Sequence, residues 1–264
     1  ERNTMEKISY YPGCTLKNKA KDLDRYARET LRVLGYELDE IENWQCCGGA
    51  YTSAKDEIAT KLPSVRALKA GYENGGKVLT VCSACYNVLK QTNHEFKANP
   101  DFDLRVNNYM GEDGGYHGDG EVVHFLEFLR DEIGFDQVKA AVKNPLTGKK
   151  IGAYYGCLLL RPSSVLGFDD PENPKLMEDL IRALGAEPVI YPMRNECCGG
   201  YITLDDKNAA KKRSTAVAQS AKEMGADCMI TACPLCLYNI TKNADCDIEV
   251  KYFTELIAEA FGIK

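Results

Sequence analysis

A chain of 264 residues is longer than a typical single domain, and with 44% hydrophobic and 27% charged residues it can bury a core in each of two. The net charge of −6 argues against general nucleic-acid binding, which needs a basic stripe, but leaves room for local basic pockets and an anionic substrate. The longest uncharged stretches, 228–241 and 78–89, fall far short of the roughly 20 apolar residues of a spanning helix, and residues 1–10 lack the pattern of an export signal. The expectation is a soluble, cytoplasmic protein.

In chain order, residues 7–13 (KISYYPG) predict a short strand that delivers Cys14 at its carboxyl end, and residues 150–156 (KIGAYYG) predict its twin, delivering Cys157. Residues 22–34 carry Leu23, Tyr26, Ala27, Leu31 and Leu34 at helical spacing, with Gly35 as the stop; residues 174–184, ended by Gly185, are the counterpart. Second strands are expected over 36–41 and 187–191, leading to Cys46-Cys47-Gly48-Gly49 and Cys197-Cys198-Gly199-Gly200. Helices follow over 54–72 and 206–224, the later one carrying the basic run Lys211-Lys212-Arg213, read as a solvated face. Third strands, 77–81 and 228–232, deliver Cys82 and Cys85, or Cys233 and Cys236, with helices starting near Tyr86 and Leu237. Residues 122–129 (VVHFLEFL) and 250–257 (VKYFTELI) match as amphipathic closing helices, while 161–174 and the Gly- and Asp-rich 94–120 are expected loops.

Ten of the twelve cysteines thus form two matching sets of five, with 34 residues between vicinal pair and Cys-x-x-Cys in both halves. The pattern is that of a duplicated α/β unit with its boundary near 143–150, giving domains 1–146 and 147–264, each a small parallel sheet flanked by helices. Ligands of such sheets gather beyond the carboxyl ends of the strands, where all three cysteine elements of each half are expected.

A Cys-x-x-Cys opening a helix puts both sulfurs on one face, and the unpaired N–H groups of the first turn favour thiolate. A disulfide framework fits poorly, because it belongs to small secreted chains and adjacent cysteines are awkward partners. Structural zinc takes four ligands, so one thiol would be left over twice in the same place. A single redox dithiol explains only the Cys-x-x-Cys. Five thiols per half, with Gly-Gly letting the backbone approach, point to an iron–sulfur cluster, although the familiar ferredoxin spacings are absent.

The elements YYPGC, CCGG, VCSAC, YYGCLLLRP, NECCGG and TACPLC closely resemble the cysteine-rich CCG domain, and two tandem copies over nearly the whole chain resemble the B subunit of heterodisulfide reductase. That resemblance implies two pseudo-symmetric Rossmann-like CCG domains, each holding a noncubane 4Fe–4S cluster. Cys14, Cys46, Cys47, Cys82 and Cys85 would ligate one; Cys157, Cys197, Cys198, Cys233 and Cys236 would ligate the other. It implies reduction of a disulfide between the clusters, with one electron from each. Electrons would come from a small C-type iron–sulfur partner, fed in turn by an A-type flavin partner. The family also contains electron-transfer subunits without disulfide chemistry, related to 2-hydroxyacid, glycerol-3-phosphate and succinate oxidation. Many of those carry a fused ferredoxin-like segment; its absence from this sequence leads to the expectation of a separate C-type partner.

Lys17 and Arg161 follow the first cysteine of each set closely, where a cation could bind a small anionic disulfide; the plainer reading is ordinary surface charge. Trp44 is expected to shield the first cluster. Cys228 reads as a small buried thiol and Cys246 as part of a short connection, neither a ligand. His124 stands where Tyr252 stands in the second half, which suggests packing or hydrogen bonding. His94 and His117 fall in or near the long loop and suggest no role.

Overall fold

A computed structural model describes residues 5–49 and 57–264. The first half runs β1 (Glu6–Tyr11), α1 (Gly13–Asn18), α2 (Lys21–Val33), β2 (Tyr36–Glu40), α3 (Glu57–Glu73), β3 (Lys77–Thr80), α4 (Ser83–Ala98), α5 (Pro100–Met110), β4 (Glu121–His124), α6 (Phe125–Phe128) and α7 (Phe135–Ala140). The second runs β5 (Lys150–Tyr154), α8 (Ser163–Leu166), α9 (Leu176–Ala183), β6 (Glu187–Val189), α10 (Lys207–Glu223), β7 (Cys228–Thr231), α11 (Pro234–Asn243), β8 (Glu249–Tyr252) and α12 (Phe253–Phe261). Each half forms a four-stranded sheet, ordered β2-β1-β3-β4 and β6-β5-β7-β8, with every pairing parallel. The duplicated α/β architecture read from the sequence is the one observed.

The closing segments correct one expectation. Val122 and Val123 lie in a fourth strand rather than a helix, and so does Val250; the helices begin only at Phe125 and Phe253. A short apolar run satisfies a buried strand as well as a helix, and here the edge of β3 or β7 was free to pair it. The switch is set at His124 and Tyr252, whose backbone N–H groups donate to Glu127 Oε2 (2.9 Å) and Glu255 Oε2 (2.6 Å).

The expected loop 94–120 contains the end of α4, all of α5 and a short 3₁₀ turn. Asn99 caps α5, its side chain accepting from Phe102 N–H, and Pro100 occupies the first turn. Residues 161–174 likewise include α8. The helices after the Cys-x-x-Cys elements start at Ser83 and Pro234, earlier than the sequence suggested, so Cys82 and Cys233 are N-cap residues and Cys85 and Cys236 lie in the first turn.

The larger apolar core contains residues of both sheets, and a second, smaller one around Tyr154, Val217 and Met229 lies in the second half. The closing helices cross over: α12 packs on α2, and α7 packs on α9. At the pseudo-twofold axis the carbonyls preceding the two Cys-x-x-Cys elements meet a small set of donors. Ser83 N–H and Oγ–H both donate to Ala232 O (3.0 and 2.7 Å), and the buried Tyr252 hydroxyl lies 2.6 Å from Val81 O and 2.8 Å from Ala232 O. These bonds hold the cysteine-bearing edges of the two sheets face to face.

Candidate functional site

The first set is built from three chain segments at the carboxyl end of its sheet. β1 delivers Cys14 into α1, β2 leads to Cys46 and Cys47, and β3 leads to Cys82 and Cys85. Cys14 Sγ and Cys46 Sγ stand 3.5 Å apart, and Cys47 Sγ and Cys85 Sγ 3.6 Å apart. These are contacts between free thiols, since a disulfide would bring sulfurs to about 2 Å. Gly13 is required here: its φ is +76°, and a Cβ would stand 2.7 Å from Cys85 Sγ. A cavity of about 390 Å³ opens onto all five sulfurs, and Tyr201 and Leu235 of the second half also line it. The Tyr201 hydroxyl donates to Gly49 O, tying the roof to the vicinal-pair loop.

The second set repeats the plan with Cys198 Sγ 3.5 Å from Cys236 Sγ. Tyr11 and Tyr154 hold the vicinal-pair loops alike: each hydroxyl donates to the carbonyl just before the pair, Gln45 O at 2.6 Å and Glu196 O at 2.7 Å. Gly48 and Gly199 both turn through positive φ, +76° and +81°, which explains the first glycine of each CCGG. The electrostatics are those of sulfurs sharing protons. Hydrogen bonds from Cys46 and Cys85 hold the Cys47 thiol well below its usual range and push those partners up. Cys157, assisted by Gly199 N–H and Arg213, lowers Cys197, and Cys236 lowers Cys198.

Five soft donors per set, all free and with several already biased towards thiolate, fit an iron–sulfur group. A structural zinc takes four ligands, so it would leave one of the five thiols of each set unused.

Comparison with known proteins agrees with this arrangement. The profile of the cysteine-rich (CCG) domain matches residues 8–90 and 151–241. The chain belongs to the cysteine-rich CCG domain family. Over nearly its whole length it is similar to the 8-methylmenaquinol:fumarate reductase membrane anchor subunit of Wolinella succinogenes, at 30% identity covering 98% of this chain and 93% of that protein. It is also similar to the B subunit of the ferredoxin/F420H2-dependent CoB–CoM heterodisulfide reductase of Methanosarcina acetivorans, at 28% identity covering 98% and 90%. Among solved structures, a hypothetical protein from Helicobacter pylori shares the fold, with a TM-score of 0.76 at 12% identity; the match covers 98% of this chain and about half (49%) of that one. Among the described residues no helix is long and apolar enough to cross a membrane.

Within this CCG pair the two cations singled out by position do not line the thiol cavity. Lys17 Nζ is held by Glu40 (2.7 Å), and Arg161 donates to Asn195 O (3.1 Å) and Glu172 Oε1 (2.9 Å). Trp44 packs edge-on against Tyr11 and donates from Nε1 to Glu40 (3.0 Å), close in sequence to Cys46. Cys228 is buried at the start of β7, away from the thiols, and Cys246 is half-buried in the connection before β8. Buried His124 caps α6, its Nδ1 accepting from Leu126 N–H (3.2 Å). His94 lies on α4, and His117 pairs with Asp103 at 2.9 Å.

The structure adds residues that sequence reasoning missed. Arg213 is not simply part of a solvated face: its Nε donates to Cys197 O (3.3 Å) and its Nη2 to Glu196 (3.2 Å), while Lys211 and Lys212 point outward. A rotation of about 100° per residue turns the third member of the run inward beside buried Ser214. Asn239 donates to Cys198 O (2.8 Å) from one turn beyond Cys236; an amide in the otherwise apolar run PLCLYNI was the available signal. Asn87, two residues after Cys85, donates to Leu158 O (2.7 Å) and Arg161 O (2.8 Å), fastening the turn that follows Cys157 to α4.

Proposed function

We propose that this chain is the catalytic iron–sulfur subunit of a heterodisulfide-reductase-type complex. The observation that carries the reading is the pair of five-thiol sets brought face to face across one interface, with a cavity that opens onto the first set and is roofed by the second half. In this reading residues 1–146 hold one noncubane 4Fe–4S cluster through Cys14, Cys46, Cys47, Cys82 and Cys85. Residues 147–264 hold the other through Cys157, Cys197, Cys198, Cys233 and Cys236. When bound, the clusters supply the two electrons that, with two protons, convert one disulfide into two thiols.

The chain's own side chains set the conditions for that reaction. Pro12, Leu16 and Leu235 give the cavity an apolar wall that strips water from an entering disulfide. Among the described residues, Thr15 and Tyr201 bring side-chain hydroxyls to the wall. Tyr11, Tyr154 and the Ser83–Tyr252 contacts fix the loops that carry the sulfurs, so that ligand geometry does not depend on the substrate. The similarity to the B subunit of a heterodisulfide reductase over 98% of this chain supports the same reading. In our proposal the chain belongs to a cytoplasmic complex with a C-type iron–sulfur partner and an A-type flavin partner.

The similarity to a fumarate reductase anchor subunit favours a second reading, an electron-transfer subunit without disulfide chemistry. One experiment separates the two. Anoxic protein reduced with a low-potential dye and freed of excess reductant is mixed with hydroxyethyl disulfide, and released thiol is counted. Two thiols per two electrons withdrawn is the result expected of a disulfide reductase; oxidation by quinones or dyes but never by a disulfide would leave the electron-transfer reading.

A further inference from the structure

Two polar side chains reach the vicinal pair of the second set from positions that are apolar in the first half. The Asn239 amide is almost fully buried and its orientation is fixed. Its Oδ1 accepts from Asn243 Nδ2 (2.6 Å) and from the Thr203 hydroxyl (3.0 Å), so Nδ2 is turned towards Cys198, whose carbonyl it meets at 2.8 Å. Arg213 arrives from α10, with Nε 3.3 Å from Cys197 O and Nη2 3.2 Å from Glu196. At the repeat-related places the first half carries Val88 and Leu62.

The difference bears on where negative charge is favoured. The Cys236 thiol lowers Cys198, helped against burial by the Asn239 amide and Gly200 N–H; the Cys157 thiol lowers Cys197, helped by Gly199 N–H and the Arg213 charge. The sulfur–sulfur contributions end when every thiol of a set binds metal, because no proton is then left to share. The glycine N–H groups serve both sets alike, Gly48 and Gly49 bonding Cys46 and Cys47 as Gly199 and Gly200 bond Cys197 and Cys198. What distinguishes the second set is the amide and the guanidinium. The Thr15 hydroxyl, 3.9 Å from the exposed Cys14 Sγ, is too distant to match them. Glu196 offsets part of the Arg213 charge, which leaves the buried amide as the stronger of the two.

Resting on the iron–sulfur part of the proposed function, we infer that Asn239 and Arg213 are positioning residues that give the second site a higher reduction potential than the first. Hydrogen bonds and positive charge around cluster sulfurs stabilise the reduced, more negative state. The first electron from a low-potential donor settles at the second site. The first site, which opens onto the cavity, is filled last and gives up its electron most readily. Neither side chain touches the substrate; each acts through the cysteine beside it.

Single-site proteins test this directly. Anoxic Cys47→Ala protein keeps the second site and Cys198→Ala protein keeps the first. Each is titrated with dithionite and mediator dyes while electron paramagnetic resonance reads the reduced fraction. The second site is expected to take its electron at the higher potential. Asn239→Val, which installs the first half's residue, is expected to lower the ratio of reduced to oxidised second site about tenfold at a fixed potential, a shift of about 59 mV for one electron. Val88→Asn in the Cys198→Ala protein should move the first site the opposite way, which a merely structural role for the amide would not produce. Arg213→Leu should lower the second site by a smaller factor, and Arg213→Lys, which keeps the charge, should restore it. Val88 and Arg213 are only half-buried, so their variants decide the matter if Asn239→Val protein does not fold. Unchanged potentials in these variants, or a first site that fills before the second, overturn the assignment. Iron-loaded protein that fails in this way leaves the proposed function standing, whereas protein that binds no iron removes both.

Discussion

Around Cys157 the chain is braced from three directions: Asn87 fastens the following turn to α4, Arg213 and Asn239 grip the carbonyls of Cys197 and Cys198, and Tyr154 holds Glu196. Of these contacts, only the tyrosine's is repeated around Cys14 among the described residues. Val88 stands at the place of Asn239 and Leu62 at the place of Arg213, neither able to donate a hydrogen bond from its side chain. Cys14 and Cys46 are accordingly exposed, whereas Cys157 and Cys197 are half-buried. Both halves carry the same five thiols, and the set with the polar contacts around it is the less exposed one. The first set opens onto the cavity, and Tyr201, Pro234 and Leu235 of the second half line that cavity from across the axis.

The largest effect is expected from removing ligands. Cys47→Ala and Cys198→Ala should each lose about half the bound iron, one cluster apiece, with disulfide reduction falling below detection in both. The comparison of faces adds a finer outcome: the Cys198→Ala protein, which keeps the open first site, should bleach faster in air than the Cys47→Ala protein. Equal bleaching rates measured by absorbance would mean that the bracing does not shelter the second site.

Asn87→Ala comes next. It leaves the carbonyls of Leu158 and Arg161 without their donor in a nearly dry place, at a cost of about 1–3 kcal/mol in chemical denaturation. It should also make bleaching at the second site approach that at the first. Loss of stability with no change in bleaching would reduce Asn87 to a structural clamp.

The smallest effect tests the mismatch at the axis, His124 in one half and Tyr252 in the other. Burial lowers the His124 pKa to about 3 from an unfolded value near 6.5. The folded state therefore prefers the neutral ring, and below about pH 6.5 the unfolded chain takes up a proton that the folded chain refuses until about pH 3. Stability is intact above that upper value and falls as the pH drops through the window, by about 1 kcal/mol between roughly pH 7 and 5.5. Denaturation of a His124→Asn variant, which retains a side-chain acceptor for the cap, should lack this component; an identical pH dependence in both proteins would contradict the assignment.

The ten cysteines and the carboxyl-end geometry were legible because the repeat states them twice, and because a strand followed by a thiol and a helix reads locally. The alternation of strand and helix also gave the parallel sheets. β4 and β8 were not legible, since a run such as Val122-Val123 fits either element until a neighbour's free edge selects one. The asymmetry between the faces was equally hidden. Arg213, Asn87 and Asn239 act on carbonyls 16 to 74 residues away, and such partners appear only when the chain has folded. Lys17 and Arg161 stand out by closeness in sequence to a cysteine, but nearby carboxylates, themselves distant in sequence or in a loop, engage both.

The most direct test of the central claim is metal content: iron, acid-labile sulfide and zinc per chain, in protein purified without oxygen. The account predicts about eight irons with matching sulfide and negligible zinc, the content of two four-iron clusters. About one or two zincs with little iron, in protein never exposed to air, would contradict it and leave the thiols as structural sites.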